Sequence, residues 1–244
     1  MKNRVDFKVT GRFALFTDPL TKIGGDKCSY QIPTYEALKG VAKSVYWKPT
    51  FVWVIDKVRV MRRIRTQSKS MKPLVFSGGN SLAIYTYLAD VEYQVQAHFE
   101  WNPFRDDLTD DRDTNKHWHV ARRMVEKGGR QDIFLGTREC QGYVEPCLFG
   151  DGKGEYDGYG NLDYGLMFHG FDYPDEYGSD TDGKFKLQSR FWRPAMIDGV
   201  VSFPQPAEFP CPEKTMVRRV VREMTPKKLS TVGLREEGLL DELV

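Results

Sequence analysis

Cysteine is scarce in this chain, with 4 residues among 244, at positions 28, 140, 147 and 211. No two form a CxxC pair and none has zinc-ribbon spacing, so the expectation is reduced, partly buried thiols and no zinc site. Long apolar runs are also missing. Nothing approaches the roughly 20 residues needed to cross a bilayer, so no membrane association is expected. The opening MKNRVDFKV alternates like a strand and lacks the apolar core and small-residue cleavage site of a signal peptide. A cytoplasmic protein is the expectation. With 40% hydrophobic and 29% charged residues, the composition is that of a folded globular chain rather than a disordered one. The length suits one domain plus a sizeable extension.

Acidic residues are absent from a third place. Lys57, Arg59, Arg62, Arg63, Arg65, Lys69 and Lys72 follow one another with no intervening acid, a stripe of the kind that attracts a phosphate backbone. The net charge of +2 conceals this asymmetry. Residues 1–144 carry 24 Lys/Arg against 16 Asp/Glu, residues 145–183 carry 1 against 10, and residues 184–244 carry 11 against 8. The acidic middle segment is expected to face away from nucleic acid or to meet a basic partner.

Periodicity predicts a strand through Val5, Phe7 and Val9, then a helix from Tyr35 to Tyr46 capped by Thr34, then a long strand from Phe51 to Met61. The segment VEYQVQAHFEW, residues 91–101, alternates cleanly and predicts a third strand. Asn115 is the expected cap of a second helix that carries Ala121, Met124 and Val125 and ends at Gly128 and Gly129. The segment IFLGTRECQGYV, residues 133–144, predicts a fourth strand. The order is βαββαβ, and the fold class expected is α+β. A ferredoxin-like domain over 1–145 is followed by a β-rich antiparallel extension over 146–212 and a weakly structured tail over 213–244.

Two of the chain's four histidines fall in DRDTNKHWH, residues 111–119. Asp111, Asp113 and Asn115 match the first three ligands of a calcium loop, but Lys116 stands at the required glycine and Arg122 at the closing glutamate. His117 and His119 lie about 200° apart on a helix and cannot face one ion. No metal and no cofactor is expected. In a βαββαβ sheet the helices run antiparallel on one face, so the end of the first meets the start of the second. Tyr46, Lys116 and His117 thus converge at a helix N-terminus that favours phosphate.

Those side chains suit metal-independent RNA cleavage. The substrate's own 2′-hydroxyl is the nucleophile, so the protein need only align it, move protons and stabilise charge, leaving a 2′,3′-cyclic phosphate and a 5′-hydroxyl. His117 is suited to proton transfer, Lys116 to the charge of a phosphorane, and Tyr46, with an ordinary pKa of ~10, to donating or orienting a hydrogen bond. Base stacking on the third strand is not expected, because its polar face shows Glu92, Gln94, Gln96, His98 and Glu100. RNA contacts are expected instead from Lys57, Arg59, Arg62, Arg63, Arg65, Arg130 and Arg138. His98 and His169 are expected to be structural.

Five stretches carry a family resemblance: ALFTDPLTKIGG, PTYEALKGVAKSVYWKPT, the NKH at 115–117, KGGRQDIFLGTRECQGYV and MFHGFDYP. Over residues 4 to 210 the chain resembles the CRISPR-associated Cas-five proteins of the RAMP superfamily, in the Dvulg branch of subtype I-C systems. The resemblance implies an endoribonuclease that cuts the hairpin repeats of CRISPR precursor RNA and stays on the 5′ handle of the mature guide within Cascade. The branch's catalytic tyrosine, lysine and histidine fall on Tyr46, Lys116 and His117. The implied partners are the repeat RNA, the guide RNA and the other Cascade subunits, a Cas-seven backbone and a Cas-eight large subunit. Double-stranded DNA is a further candidate partner. Most Cas-five proteins cap the guide without cutting it, which makes a non-catalytic capping subunit the alternative. A metabolic enzyme on the same scaffold is the third reading, and no cofactor fingerprint supports it.

Overall fold

The computed structural model describes residues 3–18, 26–74, 78–173, 176, 186–206 and 219–220. Two helices, α1 (Tyr35–Val45) and α2 (Thr114–Glu126), are threaded among strands β1 (Arg4–Ala14), β2 (Lys27–Cys28), β3 (Phe51–Val60), β4 (Thr66–Met71), β5 (Ala83–Trp101), β6 (Ile133–Phe134) and β7 (Gln141–Pro146). The later strands are β8 (Asn161–Asp163), β9 (Met167–Asp172), β10 (Lys186–Trp192), β11 (Ala195–Ile197), β12 (Val200–Ser202) and β13 (Arg219–Val220). Among the described residues no helix is long and apolar enough to cross a membrane.

One sheet holds ten of the described strands, eight of them in the order β6-β7-β1-β5-β3-β12-β11-β8. The antiparallel quartet β7-β1-β5-β3 lies at its centre, with α1 between β1 and β3 in the chain and α2 between β5 and β7. Both helices bury an apolar stripe against one face of this quartet. Leu38, Val41 and Val45 of α1 and Ala121 and Val125 of α2 join Phe7, Val9, Trp53, Ile55, Val95, Ala97 and Phe99 in a single core. Alternation along the strands makes this possible, since every second side chain faces the helices.

The opposite face is also covered. Gln94 and His98 of β5 are 4% and 6% exposed although both point away from the helices. A Gly/Asp loop lies over Gln94, and His98 is held between Asp56 and Glu100. Gly150 N donates to Gln94 Oε1 at 2.9 Å, and Gln94 Nε2 donates to the Asp151 carbonyl at 2.6 Å. Arg59 of β3 reaches the same loop and pairs with both oxygens of Asp157 at 2.7 and 2.8 Å. The acidic segment is therefore tied to the chain's own basic stripe, and in Asp157 it has an internal partner.

Several boundaries differ from expectation for identifiable reasons. The third strand starts at Ala83 rather than Val91, and its first half pairs with β4, residues TQSKSM, an arm exposed to solvent along most of its length and so without an apolar alternation to reveal it. The fourth strand divides into β6 and β7 around a turn at 135–140, closed by Leu135 N donating to the Cys140 carbonyl at 2.8 Å. Gly136 is required there. Its φ is +93°, and an added Cβ would stand 2.1 Å from the Leu15 carbonyl oxygen. Strands β8, β11 and β12 continue the main sheet outward from β3, whereas β9 and β10 pair with each other beside α1. Arg219–Val220 pairs with β10 inside the tail expected to be weakly structured, and the rest of that tail lies outside the described residues. Cys28, Cys140 and Cys147 are free thiols; Cys211 is outside the described residues.

Candidate active site

The chain enters the site twice, once leaving α1 and once entering α2. Thr34 Oγ1 caps α1 by accepting from Ala37 N at 3.2 Å. The helix stops after Val45, because Tyr46 takes an extended conformation with φ −160° and ψ 129°. Its backbone is held on both sides: Tyr46 N donates to the Ala42 carbonyl at 3.0 Å, and the Tyr46 carbonyl accepts the indole N–H of Trp53 at 2.7 Å. The phenol is thereby fixed beneath the helix end.

α2 is capped by Asp113 rather than by Asn115. The Asp113 carboxylate accepts from Asn115 N at 2.9 Å and Lys116 N at 3.1 Å, so the first turn begins at Thr114. His117 then falls on the buried side of the helix and is 0% exposed, while His119 is exposed. The His117 ring sits among Phe51, Trp101, Tyr46 and Phe99, with centroid distances of 5.3, 5.8, 6.0 and 6.3 Å. It is an enclosed imidazole, more shielded than the position at the helix start suggests.

Its two nitrogens have different partners. Nε2 lies 2.7 Å from the Asp111 carbonyl oxygen, which can only accept, so Nε2 carries the proton. Nδ1 is left to accept from the Tyr46 hydroxyl at 2.8 Å. Burial, followed by the negative charge of Asp111, raises the Tyr46 phenol above the ordinary range, and the positive charges of Lys116 and Arg130 oppose that rise. A protonated phenol pointing at an imidazole acceptor is the result.

Asp111 joins the pieces. One carboxylate oxygen accepts from the Lys116 ammonium at 2.5 Å and the other from Thr50 Oγ1 at 2.8 Å, with His117 Nε2 at 3.4 Å from the latter. The hydrogen bonds from Lys116 and then Thr50 pull the Asp111 carboxyl down to about 2. The same contact raises Lys116, whose side chain stays 55% exposed. In the sequence Asp111 stands out only as an incomplete calcium ligand. The signal available was its spacing, five and six residues before Lys116 and His117 across a capped helix start.

Asp111 provides a pH-dependent test. A carboxylate whose folded pKa lies below its unfolded value of ~3.9 stabilises the fold above that value and loses the contribution as the pH falls through its folded pKa. For Asp111 the window runs from about 4 down to about 2. Wild type is therefore expected to melt above Asp111→Asn at pH 7, with the difference vanishing as pH falls through that window. A difference in melting temperature that stays constant from pH 7 to pH 2 would show that the Lys116 and Thr50 contacts contribute nothing in solution.

The structure separates the other residues expected to bind RNA. Arg59 is 7% exposed and fully engaged with the Gly/Asp loop, so it is not open to a phosphate. Lys57 is exposed and, like Arg59, pairs across to the polar side of β5, on the face away from Tyr46 and His117. Arg62 and Arg65 form exposed pairs with Glu92 at 2.9 Å and Asp90 at 3.1 Å. Arg63, Arg130 and Arg138 are exposed, and of the seven Arg130 is the one whose charge reaches Tyr46. His98 bridges Asp56 and Glu100, and His169 is buried against Tyr35 and Arg190. Among the described residues, no three His, Cys, Asp or Glu side chains gather in a metal-binding cluster.

Comparison with known proteins adds an independent finding. The family model Cas_Cas5d, described as CRISPR-associated protein (Cas_Cas5), matches residues 5–204. A protein of Mannheimia succiniciproducens named CRISPR pre-crRNA endoribonuclease Cas5d is 27% identical over 237 residues, spanning 84% of this chain and 96% of its own length. A Thermus thermophilus protein of the same name is 29% identical over 174 residues, spanning 67% of this chain and 71% of its own. A solved structure described as a CRISPR-associated protein superposes with a TM-score of 0.69 at 35% identity, over 84% of this chain and 93% of that one.

Proposed function

This chain belongs to the Cas5d family of CRISPR-associated proteins, and from that premise we propose that it is a processing endoribonuclease of a subtype I-C system. It cuts the hairpin repeat of CRISPR precursor RNA in the cytoplasm without metal and remains on the 5′ handle as a Cascade subunit beside the Cas-seven and Cas-eight proteins. The unit β1-α1-β3-β5-α2-β7 is read as its ferredoxin-like domain. The observation that carries the proposal is the contact of Tyr46 with His117, next to Lys116, across two helix termini.

The geometry suggests a division of labour. His117 Nδ1 is the acceptor at the end of a short relay, so the 2′-hydroxyl proton passes to Tyr46 Oη as the phenol proton passes to His117. The 2′-oxygen attacks phosphorus, the bond to the 5′-oxygen breaks, and that oxygen takes a proton from solvent. Lys116 offsets the charge that builds on the phosphorane, exchanging Asp111 for the phosphate. Lys57, Arg62, Arg63, Arg65, Arg130 and Arg138 remain the phosphate-contacting set. The pairs of Arg62 and Arg65 are exposed and weak enough for a phosphate to displace. Arg59 leaves the set.

One observation favours the capping subunit as a second reading. His117 is wholly buried and Lys116 is tied to Asp111, so in this state neither is free to meet a substrate. A labelled repeat hairpin in excess EDTA separates the two. The processing reading expects cleavage to a 2′,3′-cyclic phosphate, abolished by a 2′-deoxy nucleotide at the cut site. Tight binding with no cleavage at any RNA excess would leave the capping subunit as the function.

A further inference from the structure

Tyr46 is followed by Trp47, and the two side chains have opposite fates. Tyr46 is 4% exposed whereas Trp47 is 45% exposed. The extended turn that ends α1 sends the phenol inward and leaves the indole in a cleft beside Lys43, Lys48, Arg130 and Gln131. The cleft floor is well tied down. The amide N–H groups of Arg130 and Gln131 donate to the Ser44 carbonyl at 3.2 and 3.0 Å, and Arg130 N also lies 3.2 Å from the Val45 carbonyl. These bonds cover the last carbonyls of α1, whose partial negative charge would otherwise repel a phosphate.

The charges lining the cleft differ in availability. Lys43 is held by Glu176 at 2.6 Å. Lys48 and Arg130 are exposed, and among the described residues neither has a carboxylate partner. Other large exposed apolar side chains, such as Leu74, Leu82 and Leu148, lie outside this cleft. An isolated indole flanked by free cations fits a base with its phosphates better than an apolar protein surface, which needs a contiguous patch.

We propose that Trp47 is a stacking platform for one unpaired base of the RNA, that of a nucleotide flanking the scissile phosphate, with Lys48 and Arg130 holding its phosphates. The inference rests on the cleavage reading for the position of the nucleotide. Stacking requires a base drawn out of the helix, since both faces of a paired base are covered by its neighbours. A nucleotide held in this way can turn its sugar so that the 2′-oxygen lines up with phosphorus beside Tyr46, which stacked A-form RNA does not do.

Binding and cleavage of the repeat hairpin by wild type, Trp47→Ala and Trp47→Phe test it, after the cut site is mapped. RNA abasic at each nucleotide flanking the cut is the second arm. Trp47→Ala is expected to weaken Kd by about 10- to 100-fold and Trp47→Phe to recover most of this. One abasic RNA should weaken wild type by a similar factor and leave Trp47→Ala unaffected. Melting temperatures should coincide, since the indole is exposed. If Trp47→Ala binds and cuts like wild type, the proposal is overturned and the indole is left for a protein contact. Losses from Trp47→Ala and every abasic substitution that simply multiply overturn it as well. If wild type binds without cutting, the cleavage reading fails separately, and an abasic scan of the whole repeat decides the role of Trp47 by Kd.

Discussion

His117→Ala is expected to lower kcat for repeat cleavage by about 10²- to 10⁴-fold, the range for removing a general base or acid, with Kd for the hairpin changed by less than about threefold. The ring is 0% exposed, so its loss cannot remove a surface contact to RNA. What disappears is the acceptor of the Tyr46 hydroxyl and the donor to the Asp111 carbonyl. The substitution also opens a cavity between Phe51, Phe99 and Trp101 and leaves the buried Tyr46 hydroxyl without its acceptor, a cost of about 2–4 kcal/mol, whereas the Asp111 carbonyl keeps the Asp113 N–H at 2.9 Å. Activity must therefore be compared below the melting transition of the variant. Tyr46→Phe supplies the control, because it keeps the ring and removes only the hydroxyl. If the two groups form one relay, the double variant should be no slower than the slower single one. Cleavage by folded His117→Ala within tenfold of wild type would remove His117 from the chemistry.

Lys116→Ala is expected to cost about 10²- to 10³-fold in kcat with little change in melting temperature. The ammonium is mostly exposed and held by a single carboxylate, so the fold depends on it weakly. Its effect on affinity should be that of one phosphate contact, a reduction of about one in the slope of log K against log salt. Lys116→Arg tests the geometry further. A planar guanidinium keeps the charge but places it differently, and a partial recovery is expected. A loss confined to KM would show that Lys116 binds substrate and transition state alike, and the charge-stabilising role would fall.

The parts of the fold visible in the sequence are those where burial imposes a period. Val5, Phe7 and Val9, the α1 stripe and the run Val91 to Trp101 all line the core, and each was legible. The arm formed by β4 and the first half of β5 was not, because solvent covers β4 and no alternation survives. The α2 cap was misplaced by two residues for a related reason. Thr114, Asn115 and Lys116 form a polar first turn, so apolar spacing begins only after it, and Asp113 competes with Asn115 as an equally suitable cap. Local spacing brought Tyr46, Lys116 and His117 to one patch through the antiparallel helices. It could not show that Arg59 belongs to Asp157, which is 98 residues away. Nor could it place Asp111 among its three partners, since a carboxylate's role in a site depends on which residues the fold sets beside it.

The length of β5 has a consequence for synthesis of the chain. Among the described residues, β1, β2, β3 and β4 all pair with β5, and none of the four pairs with another. Among the described residues the first 82 thus hold no ladder of their own beyond the isolated bridges Thr17–Ser29 and Leu74–Asn80. A ribosome that has released β1 must add most of a further hundred residues before Trp101 emerges, a wait on the order of ten seconds at about 5–20 residues per second. During that interval Phe7, Val9, Phe51, Trp53 and Ile55, destined for the core, have only α1 to cover them. The nascent amino-terminal third is the stage at which this chain has most need of chaperone protection, and β5 ends that need by closing four strands at once.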